Sequence, residues 1–254
     1  MEELARYSDV EQAAVGDGHL VWAAQGRADD RLGPGVRAWR HGTAVIVASP
    51  DISRRDRLAV RGDGADVAVL VRRVLDEVGP SYRPFGEASS LDALAGHLPG
   101  LVPVPGFFWM DTTSESGTAA PGVGWLEVGE ERDVAAMFDD FYPDSHAQPG
   151  RGGVRRWAAA AAQAPGEAGS QPMAVAADAW SAAGCGFIAG VLTHPAARGH
   201  GLGRAVCGFV VDHLVRHHGR AALMVEAGNL PAVATYERLG MKKRLFAAAR
   251  TDSH

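Results

Sequence analysis

The segment THPAARGHGLGRA, residues 193–205, brings together residue types that can bind a bulky anion. Gly199, Gly201 and Gly203 let the backbone approach a ligand closely, and Arg198 adds a positive charge. An apolar helical pattern follows at once, so the unpaired amides of a helix N terminus and the positive end of its dipole would face the same ligand. These residues therefore predict a cradle for a phosphate or diphosphate group.

Two common phosphate-binding motifs do not fit this segment. The nucleoside-triphosphate loop needs a lysine followed by serine or threonine, and neither lysine of the chain is followed by either residue. The dinucleotide fingerprint G-x-G-x-x-G starts with Gly199 and Gly201, and an acidic Glu226 follows at a later strand end. It fails because Arg204 stands where the third glycine is required, and because PAAR separates the first glycine from the strand.

The elements that must position this turn alternate between strands and helices. In the C-terminal half, the apolar patterns predict strands at 124–128, 172–180, 186–193, 221–226 and 242–249, and helices at 133–141, 202–219 and 230–239. Residues 154–163 are ambiguous, because five consecutive alanines favour a helix, whereas Val154 and Trp157 before a turn favour a hairpin strand.

The N-terminal half is also mixed in its predicted structure. Its patterns indicate strands at 19–26, 36–49, 57–62 and 106–110, and helices at 67–78 and 91–97. The polar segment 111–122, DTTSESGTAAPG, is typical of a linker or an exposed crossover. We therefore predict a mixed α/β domain at 1–118 and a second domain at 119–254.

Composition excludes several classes of protein. The 254 residues are 46% hydrophobic and 22% charged, as in globular proteins, and the formal net charge of -5 gives no general attraction to nucleic acid or anionic membranes. No apolar run could span a bilayer, and the N-terminal MEELARYSDVEQ lacks the pattern of a signal peptide. Cys185 and Cys207 lie in apolar segments and are predicted to be packing residues. We expect a cytoplasmic protein that binds neither nucleic acid nor membrane.

The glycine segment also resembles motif A of the GNAT superfamily, the acetyl-coenzyme-A-dependent N-acyltransferases. The motif requires Arg or Gln, two residues, Gly, one residue, and Gly or Ala, and here Arg198, Gly201 and Gly203 occupy these positions. The segment NLPAVATYERLGM, residues 229–241, resembles the next motif of the same superfamily. The resemblance covers about residues 124–248.

This resemblance implies an α/β fold in which a mixed, mostly antiparallel sheet has a splayed central parallel pair and flanking helices. It resolves 154–163 as a strand that pairs with 172–180. Only 13 residues follow Met241, too few for the final hairpin of the family, so a strand is either lost or supplied by the N-terminal half. That half is predicted to be a degenerate GNAT-like copy without a cofactor loop, which completes the sheet or shapes the acceptor pocket.

Carried over residue by residue, the resemblance implies that acetyl-coenzyme A (acetyl-CoA) binds as a co-substrate and that no metal is needed. The backbone of Val191, Leu192 and Thr193 would pair with the pantetheine arm. Asn229 matches a position that contacts the cofactor, and it also fits a helix N-cap. The pyrophosphate would be held by the amides of Arg198, Gly199, His200, Gly201, Leu202 and Gly203.

The resemblance further implies that Tyr236 is the general acid, which donates a proton to the departing coenzyme A thiolate. The reaction would be a direct attack of an amine on the thioester. The base is left open among Asp178, Glu226 and a water chain, while His194 is predicted to be a turn residue.

A pair of histidines on a predicted helix raises the question of a metal site. His213 and His217 stand four residues apart, as metal ligands can, but Leu214 occupies the position where a zinc protease has glutamate. We predict a solvated helix face.

Two functions of different classes are consistent with these residues. The first is acetyl transfer to a primary amine of a small molecule or peptide, and the second is non-catalytic acyl-CoA binding by a sensor or scaffold. Tyr236 favours the enzyme, because a binding protein needs no acid for a thiolate. The expected partners are the amine acceptor and, if the chain forms a homodimer, a second copy of the chain.

Overall fold

The computed structural model describes residues 1–118, 121–127, 129–161 and 171–251. The N-terminal half contains β1 (Glu2–Leu4), α1 (Tyr7–Ala14), α2 (Gly18–Ala23), β2 (Arg37–His41), β3 (Ala44–Ile52), β4 (Arg55–Arg61), α3 (Gly64–Val78), β5 (Arg83–Glu87), α4 (Ala88–His97) and β6 (Leu101–Thr112). The C-terminal half contains β7 (Val123–Trp125), α5 (Glu131–Phe141), β8 (Val154–Ala161), β9 (Pro172–Ala179), β10 (Gly186–Thr193), α6 (Leu202–His218), β11 (Ala221–Glu226), α7 (Leu230–Glu237) and β12 (Lys242–Thr251).

The two halves repeat one order of elements. Each contains a first strand, a helical segment, three strands, a helix, a strand, a helix and a final strand. In each half the strands on either side of the first long helix run parallel, β4 with β5 and β10 with β11, and the other described pairs are antiparallel. The predicted fold class is therefore confirmed, and the N-terminal half has the element order of a second copy.

All twelve strands form one sheet in the order β1-β2-β3-β4-β5-β12-β6-β11-β10-β9-β8-β7. The last strand of each half lies in the other half, because β6 pairs with β11 and β12 pairs with β5. β6 and β12 also pair with each other over most of their length. The strand that the C-terminal half lacks is thus supplied by the N-terminal half, as one of the two predicted alternatives requires.

Helices cover both faces of the sheet. One face carries a hydrophobic core that runs through both halves under α1, α2 and α5, with Trp22, Trp109 and Phe187 in contact at its centre. The other face carries two separate cores, one under α3 and α4 and one under α6 and α7. The alternation of strand side chains between faces decides which core each residue enters.

The alanine-rich segment shows how this alternation overrides helix propensity. Trp157 and Ala159 of β8 face the α5 side, while Ala158 and Ala160 face α6. All four side chains are buried, so the segment is covered on both faces, and its small residues fit between helices. The interpretation of this segment as a strand is confirmed by its pairing with β9.

Two predictions for the N-terminal half were wrong, and one strand was missed. Residues 19–26 form helix α2 and its C-terminal end instead of a strand. The prediction failed because this short apolar run is buried on all sides, so its hydrophobic pattern has no period that distinguishes a helix from a strand. Residues 36–49 form the hairpin of β2 and β3, which turns at Gly42 with a φ of 55°. β5 was not predicted at all, since RPFGE is short and contains a proline and a glycine.

The predicted division at residues 118 and 119 stays a prediction, although the sheet is continuous across it through β6. Among the described residues, no helix is long and apolar enough to cross a membrane. Cys185 and Cys207 are both free and fully buried, in agreement with a packing role.

Candidate active site

The parallel strands β10 and β11 separate soon after they start. Their register contains only the pairs Gly186 with Ala221 and Phe187 with Ala222. Beyond Phe187 the edge of β10 that faces β11 has no described ladder partner. Such a free edge can accept an extended chain, because its N–H and C=O groups are available for ladder hydrogen bonds.

A bulge in β10 bends the strand at the same level. The register with β9 shifts between Ala189 and Leu192, and Gly190 lies between them with a φ of 59°. A Cβ atom on Gly190 would come 2.4 Å from the ring of Trp157, so only glycine fits there. The bulge therefore places Val191, at the entrance of the gap, out of regular pairing with β9.

The glycine segment forms the connection between β10 and α6. A short 3-10 helix, Pro195–Ala197, follows the strand, and its first turn is capped by His194, whose Nδ1 accepts from the amide of Ala196 at 3.2 Å. No side chain caps the N terminus of α6, so its first-turn amides have no intrahelical acceptor. The predicted use of His194 as a turn residue agrees with this geometry.

Gly201 and Gly203 meet different requirements in the loop. Gly201 is the N-cap of α6 and has a φ of 81°, a left-handed conformation that favours glycine, and a Cβ on it would point into open space. Gly203, in contrast, is needed for lack of space, because a Cβ atom there would lie 2.7 Å from Thr193 Oγ1. The loop thus offers open space on its outer side, as a cradle for a pyrophosphate requires, and packs tightly on β10 on its inner side.

Asn229 begins the next helix at the end of β11. Its Oδ1 accepts from the amide of Ala232 at 3.3 Å, so the predicted N-cap is confirmed. The side-chain NH₂ group has no partner among the described residues. It lines the same space as the glycine loop and is free to donate to a ligand.

Tyr236 lies on α7 with its ring in the core under α6 and α7, and it is 6% exposed. Its hydroxyl makes no hydrogen bond with any described residue, yet the residue lines the gap between β10 and β11. Burial raises the pKa of Tyr236 well above its usual value. The phenol is therefore protonated at neutral pH and can act as a proton donor.

These elements enclose one cleft of about 1520 Å³. The predicted cofactor residues that line it are Val191, Leu192, Thr193, Arg198, Gly199, Gly201, Leu202, Gly203 and Asn229, together with Tyr236. His200 does not line the cleft, and its Nδ1 instead contacts the Arg198 carbonyl oxygen at 2.9 Å. His200 is therefore the one predicted cofactor residue that lies outside the lining.

The two carboxylates considered as bases lie in different environments. Glu226, at the end of β11, is exposed, lines the cleft and has no ion-pair partner among the described residues. Asp178 is 2% exposed and lies outside the lining of the cleft, where Ser181 Oγ donates to it at 2.5 Å and Arg156 approaches within 3.5 Å. Asp178 is therefore placed to hold β8 and β9 together, and Glu226 is the one that a ligand in the cleft can reach.

The histidine pair on α6 shows no arrangement for a metal. His213 and His217 stack at 3.8 Å, and His213 also packs edge-on against Trp125 and contacts Arg156. No group of three metal-binding side chains occurs in the described parts of the chain. His217 is exposed as predicted, but His213 is half-buried, and burial together with Arg156 lowers its pKa to about 4.

The N-terminal half does not build a second cradle at the equivalent place. Only Gly62 and Asp63 connect β4 to α3, and the N terminus of α3 carries the carboxylates of Asp63 and Asp66, which accept from the Thr43 hydroxyl at 3.1 and 3.0 Å and would repel an anion. Near the end of β4, the ring of His19 lies against the strand, and its Nε2 contacts the Val60 carbonyl oxygen at 3.1 Å. The prediction that this half lacks a cofactor loop agrees with its structure.

Sequence reasoning offered the acceptor pocket as one role of the N-terminal half but identified none of the residues that line the cleft. Arg55 and Arg57 of β4 and Arg83 of β5 line it, together with Phe107 of β6. No local motif marks these arginines, because they meet only through the pairing of β4 with β5 and the insertion of β6 and β12.

A splayed parallel pair and a glycine loop at a helix N terminus are the features that the resemblance to the GNAT superfamily implies. The resemblance predicted for the C-terminal half is confirmed, because residues 136–241 match the model described as "Acetyltransferase (GNAT) family". Proteins of this family are acyltransferases that use acyl-CoA as a co-substrate. No curated protein matches the chain significantly in sequence.

Solved structures with the same fold cover nearly the whole chain. The GCN5-related N-acetyltransferase from Kribbella flavida is 18% identical, with a TM-score of 0.58, and the match covers 95% of this chain and 96% of that protein. The GCN5-related N-acetyltransferase from Sphaerobacter thermophilus is also 18% identical, with a TM-score of 0.54 and coverage of 98% and 95%. At these identities the comparison shows the fold, which therefore extends over both halves.

Proposed function

We propose that the protein is an N-acetyltransferase that moves the acetyl group of acetyl-CoA to a primary amine of a small molecule or peptide. The observation that carries the proposal is the convergence of the glycine loop, the free edge of β10 and the Tyr236 ring on one cleft. The family match at residues 136–241 supports the acyltransfer chemistry. We add to this chemistry that the transferred group is acetyl, that the acceptor is a primary amine, and that the residues of the cleft have the roles given below.

The fit of coenzyme A rests on the shape of the loop and the strand. The open space beside Gly201 and the uncapped amides of α6 suit a pyrophosphate, and Arg198 lies beside it as a counter-charge. The backbone edge of Val191 to Thr193 that faces β11 has no ladder partner and suits the amides of a pantetheine arm. The Asn229 amide is placed to donate to the same ligand.

Acyl-CoA supplies the thioester carbon, where a C–N bond to the amine forms as the C–S bond breaks. In this proposal Tyr236 holds its proton until the reaction and donates it to the sulfur that leaves. Glu226 accepts the proton of the amine, directly or through one water molecule. The main contribution of the cleft is to hold both reactants in position, which by itself lowers a bimolecular barrier substantially.

The test is the release of free thiol from acetyl-CoA in the presence of a panel of primary amines. We expect amine-dependent release, with the acetylated amine identified by mass spectrometry in equal amount. Acetyl-CoA binding without release on any amine would contradict the enzyme and favour the alternative, an acyl-CoA sensor or scaffold.

A further inference from the structure

The arginines of the N-terminal half form a cationic cluster at the acceptor side of the cleft. Arg55 and Arg57 lie two residues apart on β4 and so point to the same face of the sheet. Arg83 of β5 is the direct register partner of Arg57 in the parallel pair. The three guanidinium groups are therefore gathered on one face by two neighbouring strands.

Strand directions place this cluster at the end of the sheet where the cofactor loop lies. β5, β12, β6 and β11 are successive antiparallel neighbours, so β5 runs opposite to β11. The starts of β4 and β5 therefore lie at the same edge as the ends of β10 and β11. The cleft lining contains Arg55, Arg57 and Arg83 as well as the glycine loop, which confirms that one space connects them.

The cluster and the glycine loop lie on opposite faces of the sheet. Arg57 and Arg83 are each two residues from a member of the core under α1, α2 and α5, namely Ala59 and Phe85. The glycine loop leads into α6, which packs on the other face. The arginines are thus placed for the second reactant and not for the pyrophosphate.

The charges of the cluster have no internal counter-charge. None of Arg54, Arg55, Arg57 and Arg83 makes an ion pair with an acidic residue in the described ranges. Other arginines of β2, β4 and β12 do, as four pairs show: Arg37 with Glu3, Arg40 with Glu2, Arg61 with Asp17, and Arg244 with Glu87. In a chain with a net charge of -5, an unpaired group of this kind at a cleft is complementary in charge to an anion.

The cluster is also partly fixed in place. Arg57 Nε donates to the Ile52 carbonyl oxygen at 3.2 Å, and its guanidinium lies 5.5 Å from the centre of the Phe85 ring. Burial, with Arg55 and Arg83 nearby, lowers the pKa of Arg57 to about 10, so the group remains charged at neutral pH. A second pocket of about 510 Å³ adjoins the cluster and contains Arg54, Arg151, His146 and one acid, Asp144.

We propose that the amine acceptor carries an oxyanion group, a carboxylate or a phosphate, which Arg55, Arg57 and Arg83 bind while the amine reaches the thioester. This inference rests on the proposed acetyltransferase function, because it names the acceptor of the same site. Guanidinium groups suit both anions, since each presents paired oxygens to the planar N–H fork.

The turnover test compares amines that differ only in the anion. Thiol release is measured with 4-aminobutyrate against butylamine, and with phosphoethanolamine against ethanolamine. At least one acidic amine is expected to exceed its neutral partner in kcat/KM by about tenfold or more, a factor typical of a charge-assisted contact. The two pairs distinguish a carboxylate from a phosphate.

The variants Arg55→Gln and Arg83→Gln are expected to remove most of this preference, by lowering kcat/KM for the acidic amine much more than for its neutral partner. Arg40→Gln is the matched control, because it removes the same charge from an exposed residue of β2 outside the cleft. Equal rates for acidic and neutral amines, or a preference that Arg83→Gln leaves unchanged, would overturn the inference while the acetyltransferase function stands.

A binding test separates the two proposals if no amine is acetylated. Protein saturated with coenzyme A is titrated by calorimetry with inorganic phosphate and with acetate. We expect one of them to bind, and to bind about tenfold more weakly to Arg83→Gln but not to Arg40→Gln. Anion binding of this kind, if no amine is acetylated, would support the anion site and contradict the acetyltransferase function. No binding of either anion would reject the site.

Discussion

Gly203 and Thr193 are so close that a Cβ atom on the glycine would lie 2.7 Å from Thr193 Oγ1. This contact joins the first turn of α6 directly to the last residue of β10. The helix N terminus and the free edge of β10 are therefore fixed relative to each other, one ready for a pyrophosphate and the other for the chain attached to it. The preceding glycine, Gly201, faces open space on the ligand side and can be changed without a steric clash inside the protein.

The variant Gly201→Asp is expected to reduce acetyl-CoA affinity at least a hundredfold, because it places a carboxylate at the anion cradle. Gly219→Asp is its control, since Gly219 ends the same helix with a φ of 75° against 81° for Gly201, and neither has a neighbour within 4 Å of its Cβ position. Both changes strain the backbone by about 1–2 kcal/mol. Calorimetry with acetyl-CoA and a urea titration measure the two effects. Equal affinity for the two variants would contradict the assignment of the loop.

Tyr236→Phe is expected to lower kcat by about a hundredfold or more, as for the loss of a general acid, with acetyl-CoA affinity near that of the wild type. Tyr82→Phe is the control, because Tyr82 is a buried tyrosine of the other half that does not line the cleft. Since burial raises the pKa of Tyr236 above its usual value, kcat should show no loss attributable to the phenol as pH rises to about 10. Unchanged turnover of Tyr236→Phe would reject the acid role.

Glu226→Gln and Asp178→Asn distinguish a reacting carboxylate from a structural one. Glu226→Gln is expected to lower kcat at neutral pH without loss of stability, because the side chain is exposed and unpaired. Asp178→Asn is expected to destabilise the fold by about 1–3 kcal/mol, since it weakens the buried contacts with Ser181 and Arg156. Urea unfolding and steady-state rates test the pair. Full activity of Glu226→Gln would show that water, and not this carboxylate, accepts the amine proton.

His213 is expected to contribute to the loss of stability in acid. Its pKa is about 4 in the folded protein, because of burial first and Arg156 second, whereas an unfolded chain has the ordinary value of about 6.5. The unfolded state therefore binds more protons between these values, and stability falls as pH falls from about 6.5 to 4. His213→Gln should flatten the melting temperature over this range relative to wild type. An identical slope for wild type and variant would contradict the assignment.

Local signals were sufficient to predict the cofactor side of the cleft. The glycine loop and the Asn229 cap depend on a few consecutive residues, whose backbone requirements are visible in the sequence. Helices with a clear apolar stripe, such as α3 and α6, were likewise predicted within a few residues of their ends.

The acceptor side could not be predicted in this way. The position of Arg83 in the cleft depends on β5, a strand with weak propensity, and on the exchange of β6 and β12 between the halves. Asp178 was considered as a base because its strand flanks the cleft, but the side of the strand that it occupies is set by the register with β8. Such long-range pairing leaves no trace in the spacing of residues.

The central claim is that the chain has one acyl-CoA site, formed by the loop between β10 and α6. Calorimetric titration of the full chain with acetyl-CoA tests it most directly. We expect saturable binding with one molecule per chain, because the equivalent place in the N-terminal half has a connection of only two residues and the acidic Asp63 and Asp66 at the start of α3. The absence of binding, or two molecules per chain, would contradict the account.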